Sequence, residues 1–221
     1  ATQYEGWFYE GAGIYRHVWL HRHHPVSLAA DGIFAYTRFE GGKPTVQIAT
    51  TVQNSTTTTM PVQVKTYLLT REGQPAGKPV ESTLQTNPLS LAEATQTLAV
   101  ANPRRWSLDD PYLYRLVVEL SQQGRLIDRQ VLRYGIRQIE VKPDGLLLNG
   151  QPVKIKGVNC HQDHAGVGIA LPDYLQYYRI SLLKRMGVNA YRASHHAPTP
   201  ELLDAADSLG MLVMSEQRLL N

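Results

Sequence analysis

A chain of 221 residues with 43% hydrophobic and 19% charged side chains has the balance of a globular protein with cores of ordinary size. Its formal net charge of +3 comes from scattered Lys and Arg, with no basic helix face and no nucleic-acid-binding motif, so a DNA- or RNA-binding role is set aside. No run of about 20 apolar residues offers a membrane span, and the lone Cys160 excludes an internal disulfide framework.

The first residues carry Trp7, Tyr9, Gly11 and Gly13 ahead of a strand-like run, Ile14–Leu20. His17, His21, His23 and His24 follow one another closely, but no carboxylate or Cys stands at ligand spacing in this stretch. They read as solvated linker, and no metal site is expected. There is no initiator Met and no secretory n-region and h-region, so the chain reads as a piece of a longer protein whose compartment is unmarked. A periplasmic or secreted location is slightly favoured over the cytoplasm.

From Pro25 to Tyr134 the texture is that of short strands. Val46–Gln53, Pro61–Thr70, Thr95–Val100, Tyr112–Leu120 and Leu126–Tyr134 are rich in Val, Thr, Tyr and Leu. Turn clusters at Glu40–Lys43, Asn54–Thr59, Arg71–Gly77 and Ser121–Gly124 separate them. About seven strands in roughly 100 residues is the pattern of an immunoglobulin-like sandwich. Asn54-Ser55-Thr56 fits a glycosylation acceptor but reads more simply as part of an exposed hairpin loop. Asn149-Gly150 then predicts a tight hairpin joining Gly145–Leu148 to Gln151–Ile155.

The last third repeats one theme. Val153–Asn159 leads into Cys160-His161-Gln162-Asp163-His164, Asn189–Ser194 into His195-His196, and Met211–Met214 into Ser215-Glu216. Between them, Pro172–Met186 carries Leu175, Tyr178, Leu182, Leu183 and Met186 at a helical period, with Asp173 early, Lys184 and Arg185 late, and Gly187 as a stop. A second helix starts at Thr199-Pro200 and ends before Gly210. Strand, helix, strand, helix, strand predicts a parallel sheet. Its polar clusters then project from one edge, where α/β sheets and barrels bind ligands. A closed eightfold barrel takes about 250 residues, so this sheet is expected to be the opening of one continued elsewhere. Cys160 and His161 are strand neighbours whose side chains point opposite ways, which argues against a thiol dyad. Gly166-Val167-Gly168 lacks the Lys and spacing of a phosphate loop.

At this point a resemblance becomes specific. Asn189-Ala190-Tyr191-Arg192-Ala193-Ser194-His195, then Pro198, Leu202-Leu203, Asp207 and Gly210-Met211-Leu212-Val213-Met214, resembles the first signature of glycoside hydrolase family 2. Gly11–Leu20 is similar to the last strand of that family's sugar-binding jelly roll. Trp106-Ser107, Asp110-Pro111 and Tyr112–Tyr114 are similar to late strands of its immunoglobulin-like domain, and Gly135-Ile136-Arg137 to its linker. The resemblance implies a multidomain β plus α/β chain. Residues 1–24 would be a jelly-roll tail, 25–135 an immunoglobulin-like β-sandwich, and 136–221 the first strands and helices of a truncated (β/α)8 TIM barrel.

It also implies a retaining exo-β-glycosidase, a β-galactosidase by the His-Gln-Asp-His-Ala-Gly and Pro-Thr-Pro-Glu-Leu-Leu-Asp wording. Such an enzyme acts on terminal β-linked sugars of oligo- or polysaccharides, needs no cofactor, and leaves room for a homo-oligomeric parent. Its two catalytic glutamates come from later strands, so this piece should hold neither and be silent alone. By the same resemblance His161 and His195 line the sugar subsite, Arg192 supports the nucleophile's carboxylate, and Asp163 can contact substrate hydroxyls. Glu216 would line the pocket or brace Arg192, Asn159 would pin the loop, and His164 and His196 would sit at the rim. Ser215 where the family has Asp, His196-Ala197 before Pro198, and Cys160 where an Arg is common depart from the pattern and loosen the sugar assignment. The alternative function is a non-catalytic binding or scaffolding module of a larger carbohydrate-active protein.

Overall fold

The computed structural model describes residues 13–41 and 43–216. Trp7, Tyr9, Gly11 and Ala12 lie outside the described residues. Contacts divide the chain into two compact units, one formed by His21–Val153 and the other by Lys154–Asn221 with Ala1–Leu20. The sequence reading placed its boundary at 135/136, ahead of the hairpin, whereas the units part at Val153/Lys154.

The first unit is a two-sheet sandwich. β1 (Val26–Glu40), β2 (Lys43–Asn54) and β5 (Ser90–Ala99) form one antiparallel sheet in the order β1-β2-β5. β3 (Met60–Leu69), β4 (Val80–Thr86), β6 (Tyr114–Gln122) and β7 (Arg125–Tyr134) form the other in the order β4-β3-β6-β7. Strict alternation explains the core: Val46, Ile48 and Val52 of β2 and Val62, Val64 and Leu68 of β3 are all buried. One polar strap crosses this interior. Thr66 Oγ1 donates to Gln96 Oε1 at 2.6 Å, and Gln96 Nε2 donates to Val64 O and Ser82 Oγ, both at 3.0 Å. Asn54 is buried with its amide donating to Thr58 O and Thr86 O while Oδ1 accepts from Thr56. That side chain is spent on holding the loop, which removes it as a glycosylation acceptor.

β1 was not legible as one strand because it carries a bulge. Register shifts between Leu28 and Ile33, with Asp31 at φ 51°. A Cβ on Gly32 would come within 2.9 Å of Ala29, so only glycine fits that approach. β8 (Ile139–Lys142), β9 (Gly145–Leu148) and β10 (Gln151–Val153) make a small antiparallel sheet. Its hairpin turns at Asn149 (φ 54°) and Gly150 (φ 81°), as the dipeptide predicts.

The second unit carries β11 (Gly157–Cys160), α1 (Asp173–Arg185), β12 (Ala190–Ala193), α2 (Pro200–Leu209) and β13 (Leu212–Met214). The three strands are parallel, in the order β11-β12-β13. Val153 is therefore corrected from barrel strand to the last residue of the hairpin. The two strands follow so closely that they read as one apolar run. Asn189 clamps the entry to β11, its Oδ1 accepting from Lys156 N at 2.7 Å and its Nδ2 donating to Lys154 O at 2.9 Å. The expected strand at Ile14–Leu20 does not form; among the described residues none pairs with it.

Both helices obey their punctuation. Thr199 caps α2, its Oγ1 accepting from Leu202 N at 3.1 Å, and Gly210 ends it in the left-handed region at φ 74°. Thr199→Ala should cost about 1 kcal/mol of stability, read as a lower unfolding midpoint. The face of α1 differs from expectation. Gln176 and Ile180 are buried, while Tyr178 and Met186 are exposed. Counting Tyr178 and Met186 into the stripe shifts its phase, which in the structure runs through Gln176, Ile180 and Leu183. Ile180 packs with Tyr191, Ala193, Leu202, Ala205, Ala206 and Met211 into the core of this unit.

Candidate functional site

Strand register fixes which side chains share a face. Asn159, Arg192 and Met214 are opposite one another, as are Val158, Tyr191 and Val213. Tyr191, Ala193, Val213 and Cys160 belong to the helix-packed core. Since side chains alternate along a strand, Arg192 is on the face turned away from the helices. In a closed barrel that face is the interior.

The ends of β12 and β13 meet there. Arg192 Nη2 forms an ion pair with Glu216 Oε1, and Arg192 Nη1 donates to Ser194 Oγ at 3.2 Å. The other carboxylate oxygen of Glu216 accepts from His195 Nδ1 at 2.7 Å. A carboxylate can only accept, so Nδ1 of His195 carries the proton and Nε2 is the atom turned away from Glu216. The His161 ring meets the His195 ring edge-on, with centroids 6.0 Å apart. His161 stands one residue beyond β11, His195 two beyond β12 and Glu216 two beyond β13. One guanidinium, one carboxylate and two imidazoles thus gather at the carboxyl ends of three parallel strands.

Other expected residues fall elsewhere. Asp163 is half-buried in the loop after β11, and its charge acts on Tyr191 of the helix-packed face. It is not brought into the Arg192–Glu216–His195 cluster. His164 opens a tight turn, its backbone paired with Gly168 and its Nδ1 donating to Ala165 O. His196 is buried, with Nδ1 donating to Ser194 O at 3.1 Å, and burial pushes its pKa below the usual histidine value. It is a neutral ring that supports the strand end. Burial raises the Cys160 thiol and pushes the Tyr191 phenol up to about 12. Neither is a nucleophile.

Two contributors were missed by sequence reasoning. Ser194 enters the sequence reading only as a small position of the signature run, with no role of its own, yet is buried and bonded to Arg192. Arg179 looks like a surface helix cation yet donates to His161 O at 2.8 Å. Neither carries a local signal, because each acts through a tertiary contact.

His17 corrects a premise. The carboxylates absent from its own stretch come from the first turns of the two helices. Its Nε2 donates to Asp173 Oδ1 at 2.8 Å and lies 4.0 Å from Glu201 Oε1. The three ligand atoms lie within 4.8 Å of one another, but the Arg16 charge also acts on the ring. Two helix N-termini add further positive potential, which disfavours a cation. The contact reads as a tether. The hydrogen bond to Asp173, followed by the charges of Asp173 and Glu201, raises His17 above its ordinary 6.5. The tether should therefore be complete below pH 6.5 and weaken as pH rises through the raised value. Histidine NMR titration checks this, and Asp173→Asn should bring the midpoint back down.

Comparison with known proteins gives a consistent result. The family model Glycosyl hydrolases family 2 matches residues 29–137, and that of Glycosyl hydrolases family 2, TIM barrel domain, matches residues 139–220. A β-galactosidase of Bacteroides ovatus is 35% identical over 98% of this chain and 26% of its own length. The crystal structure of a glycosyl hydrolase family 2 member from Bacteroides cellulosilyticus superposes with a TM-score of 0.83 at 32% identity, covering 87% of this chain and 27% of that one. A β-glucuronidase of Bacteroides uniformis gives a TM-score of 0.81 at 25% identity, over 88% of this chain and 24% of that one. The chain spans about a quarter of the length of these relatives. Among the described residues no helix is long and apolar enough to cross a membrane.

Proposed function

Because the chain belongs to glycosyl hydrolase family 2, we propose that it supplies part of the sugar-binding wall of a retaining exo-β-glycosidase, with a terminal β-galactoside as substrate. The observation that carries this reading is the His161, Arg192, His195 and Glu216 cluster at the carboxyl ends of three parallel strands. Imidazoles suit a sugar because each can donate to or accept from a hydroxyl. Arg192 adds a fixed positive charge that favours the ionised form of a carboxylate facing it. Glu216 holds both Arg192 and His195, so the wall is preorganised before substrate arrives.

Retaining hydrolysis needs one carboxyl group to protonate the leaving oxygen and another to attack the anomeric carbon, about 5–5.5 Å apart. In this reading both come from strands beyond residue 221 of the same protein. His161 and His195 fix the ring so that the anomeric carbon meets them. By family likeness, with the barrel-domain match starting at residue 139, residues 1–24 are assigned to the tail of a jelly-roll domain, 25–135 to the sandwich and 136–221 to the barrel, although by contacts the hairpin before Lys154 groups with the sandwich. Galactose is preferred because the Bacteroides ovatus relative, similar over nearly the whole chain, is a β-galactosidase.

The test is hydrolysis of nitrophenyl β-galactoside and nitrophenyl β-glucuronide by the complete protein. Preferential release from the galactoside is expected, and residues 1–221 alone should release nothing. Preference for the glucuronide would overturn the sugar assignment. Release from no β-glycoside would favour a scaffolding module.

A further inference from the structure

We propose that Arg179 is a positioning residue of the sugar site, aiming the His161 imidazole through that residue's own main-chain carbonyl. The proposal takes its ligand from the glycosidase reading above; its geometry stands apart from it.

Arg179 belongs to α1, on the far side of the sheet from Arg192. Its Nη2 nevertheless reaches the strand edge and donates to His161 O at 2.8 Å. The chain between them, from Gln162 to Pro172, holds no helix and only the single bridge of His164 to Gly168. His161 is thus the first residue of an irregular loop, and the helix guanidinium ties its backbone to a rigid element. The thiol of Cys160 lies beside both Arg179 and Tyr191. Cys160 packs toward the helices and its neighbour's side chain points the other way. The Cys160 carbonyl already accepts from Ser194 N at 3.0 Å, so holding the His161 carbonyl from the helix side fixes the peptide on the other side of His161 as well, and with it the direction in which the ring leaves the strand end. That ring meets His195, which Glu216 holds in turn.

The arrangement has a cost that packing alone does not explain. Arg179 Nη1 and Tyr191 Oη are buried with no nitrogen or oxygen partner and face only the weakly bonding Cys160 thiol. Buried polar atoms that face only a thiol are poorly compensated, and an apolar side chain would fill the same space without them. A flat guanidinium can reach a carbonyl in one fixed orientation, which a flexible ammonium does less well. The penalty is understandable if the orientation of His161 matters.

The experiment uses the complete protein. Arg179→Met and Arg179→Lys are measured on nitrophenyl β-galactoside, each alone and combined with His161→Ala. Arg179→Met should lower kcat/KM by about 10- to 100-fold alone but less than about threefold when His161 is already alanine, because the two act as one unit. Lysine should restore part of the loss. A purely structural arginine would cost the same in both backgrounds, and equal losses overturn the proposal. A crystal structure of Arg179→Met supplies a readout independent of turnover. The His161 ring should leave its edge-on contact with His195; a ring that stays in place overturns the proposal even in a protein that hydrolyses nothing. Loss of all glycosidase activity in the unaltered protein, with the ring displaced in the variant, would sink the glycosidase reading alone.

Discussion

Glu216→Ala should lower kcat/KM of the complete protein on a β-galactoside by about 10²–10³-fold, the loss expected when a preorganised polar contact is removed from a transition-state wall. The carboxylate bridges two groups, with one oxygen on Arg192 and the other on His195. Alanine releases both at once, so Arg192 loses its counter-charge and His195 loses the bond that sets its tautomer. Stability should change far less. The side chains of Arg192 and Glu216 are 36% and 21% exposed, so solvent screens the pair and about 1 kcal/mol is expected. Glu216→Gln keeps an acceptor and the shape but not the charge, and should fall between wild type and alanine. Kinetics and thermal melts of both variants check the split. Wild-type kcat/KM in Glu216→Ala would show that this carboxylate organises nothing.

Trp106→Ala should be the most damaging change to the sandwich unit, at about 3–5 kcal/mol for emptying a buried indole site. Trp106 is 1% exposed and sits where three connections meet. Its backbone N–H donates to Ile136 O at 2.9 Å, and its backbone carbonyl accepts from Asn149 Nδ2 at 3.0 Å. Arg137 lies over the ring at 5.1 Å. Gly135 faces the Trp106 side chain so closely that an added Cβ would come within 3.0–3.1 Å of its Cβ, Cγ and Cδ1. Gly135→Ala is a gentler test of the same site, at about 1–3 kcal/mol of overpacking. Urea unfolding of each variant gives the numbers.

What the sequence disclosed and what it hid divide along a physical line. Strand alternation, the Thr199-Pro200 start, the Gly210 stop and the Asn149-Gly150 turn are local, and each was legible because its signal lies within a few residues. Arg192, His195 and Glu216 were legible as a group because a parallel sheet carries all strand ends to one edge. The bulge at Ala29–Gly32 interrupts the alternation of β1, so Val26–Glu40 does not stand out in the sequence as a strand. The phase of α1 was misjudged because Tyr178 is apolar by composition but exposed in place. The partners of His17 were invisible because Asp173 lies 156 residues away. Arg179 and Ser194 were missed for the same reason: each contributes through what it touches across the fold.

The most direct measurement is a crystal structure of the complete protein with galactose bound. The account predicts sugar hydroxyls within hydrogen-bonding distance, about 2.7–3.2 Å, of ring nitrogens of His161 and His195, with the Arg192–Glu216 pair intact behind them. Galactose held elsewhere, with both imidazoles out of reach of every hydroxyl, would contradict it.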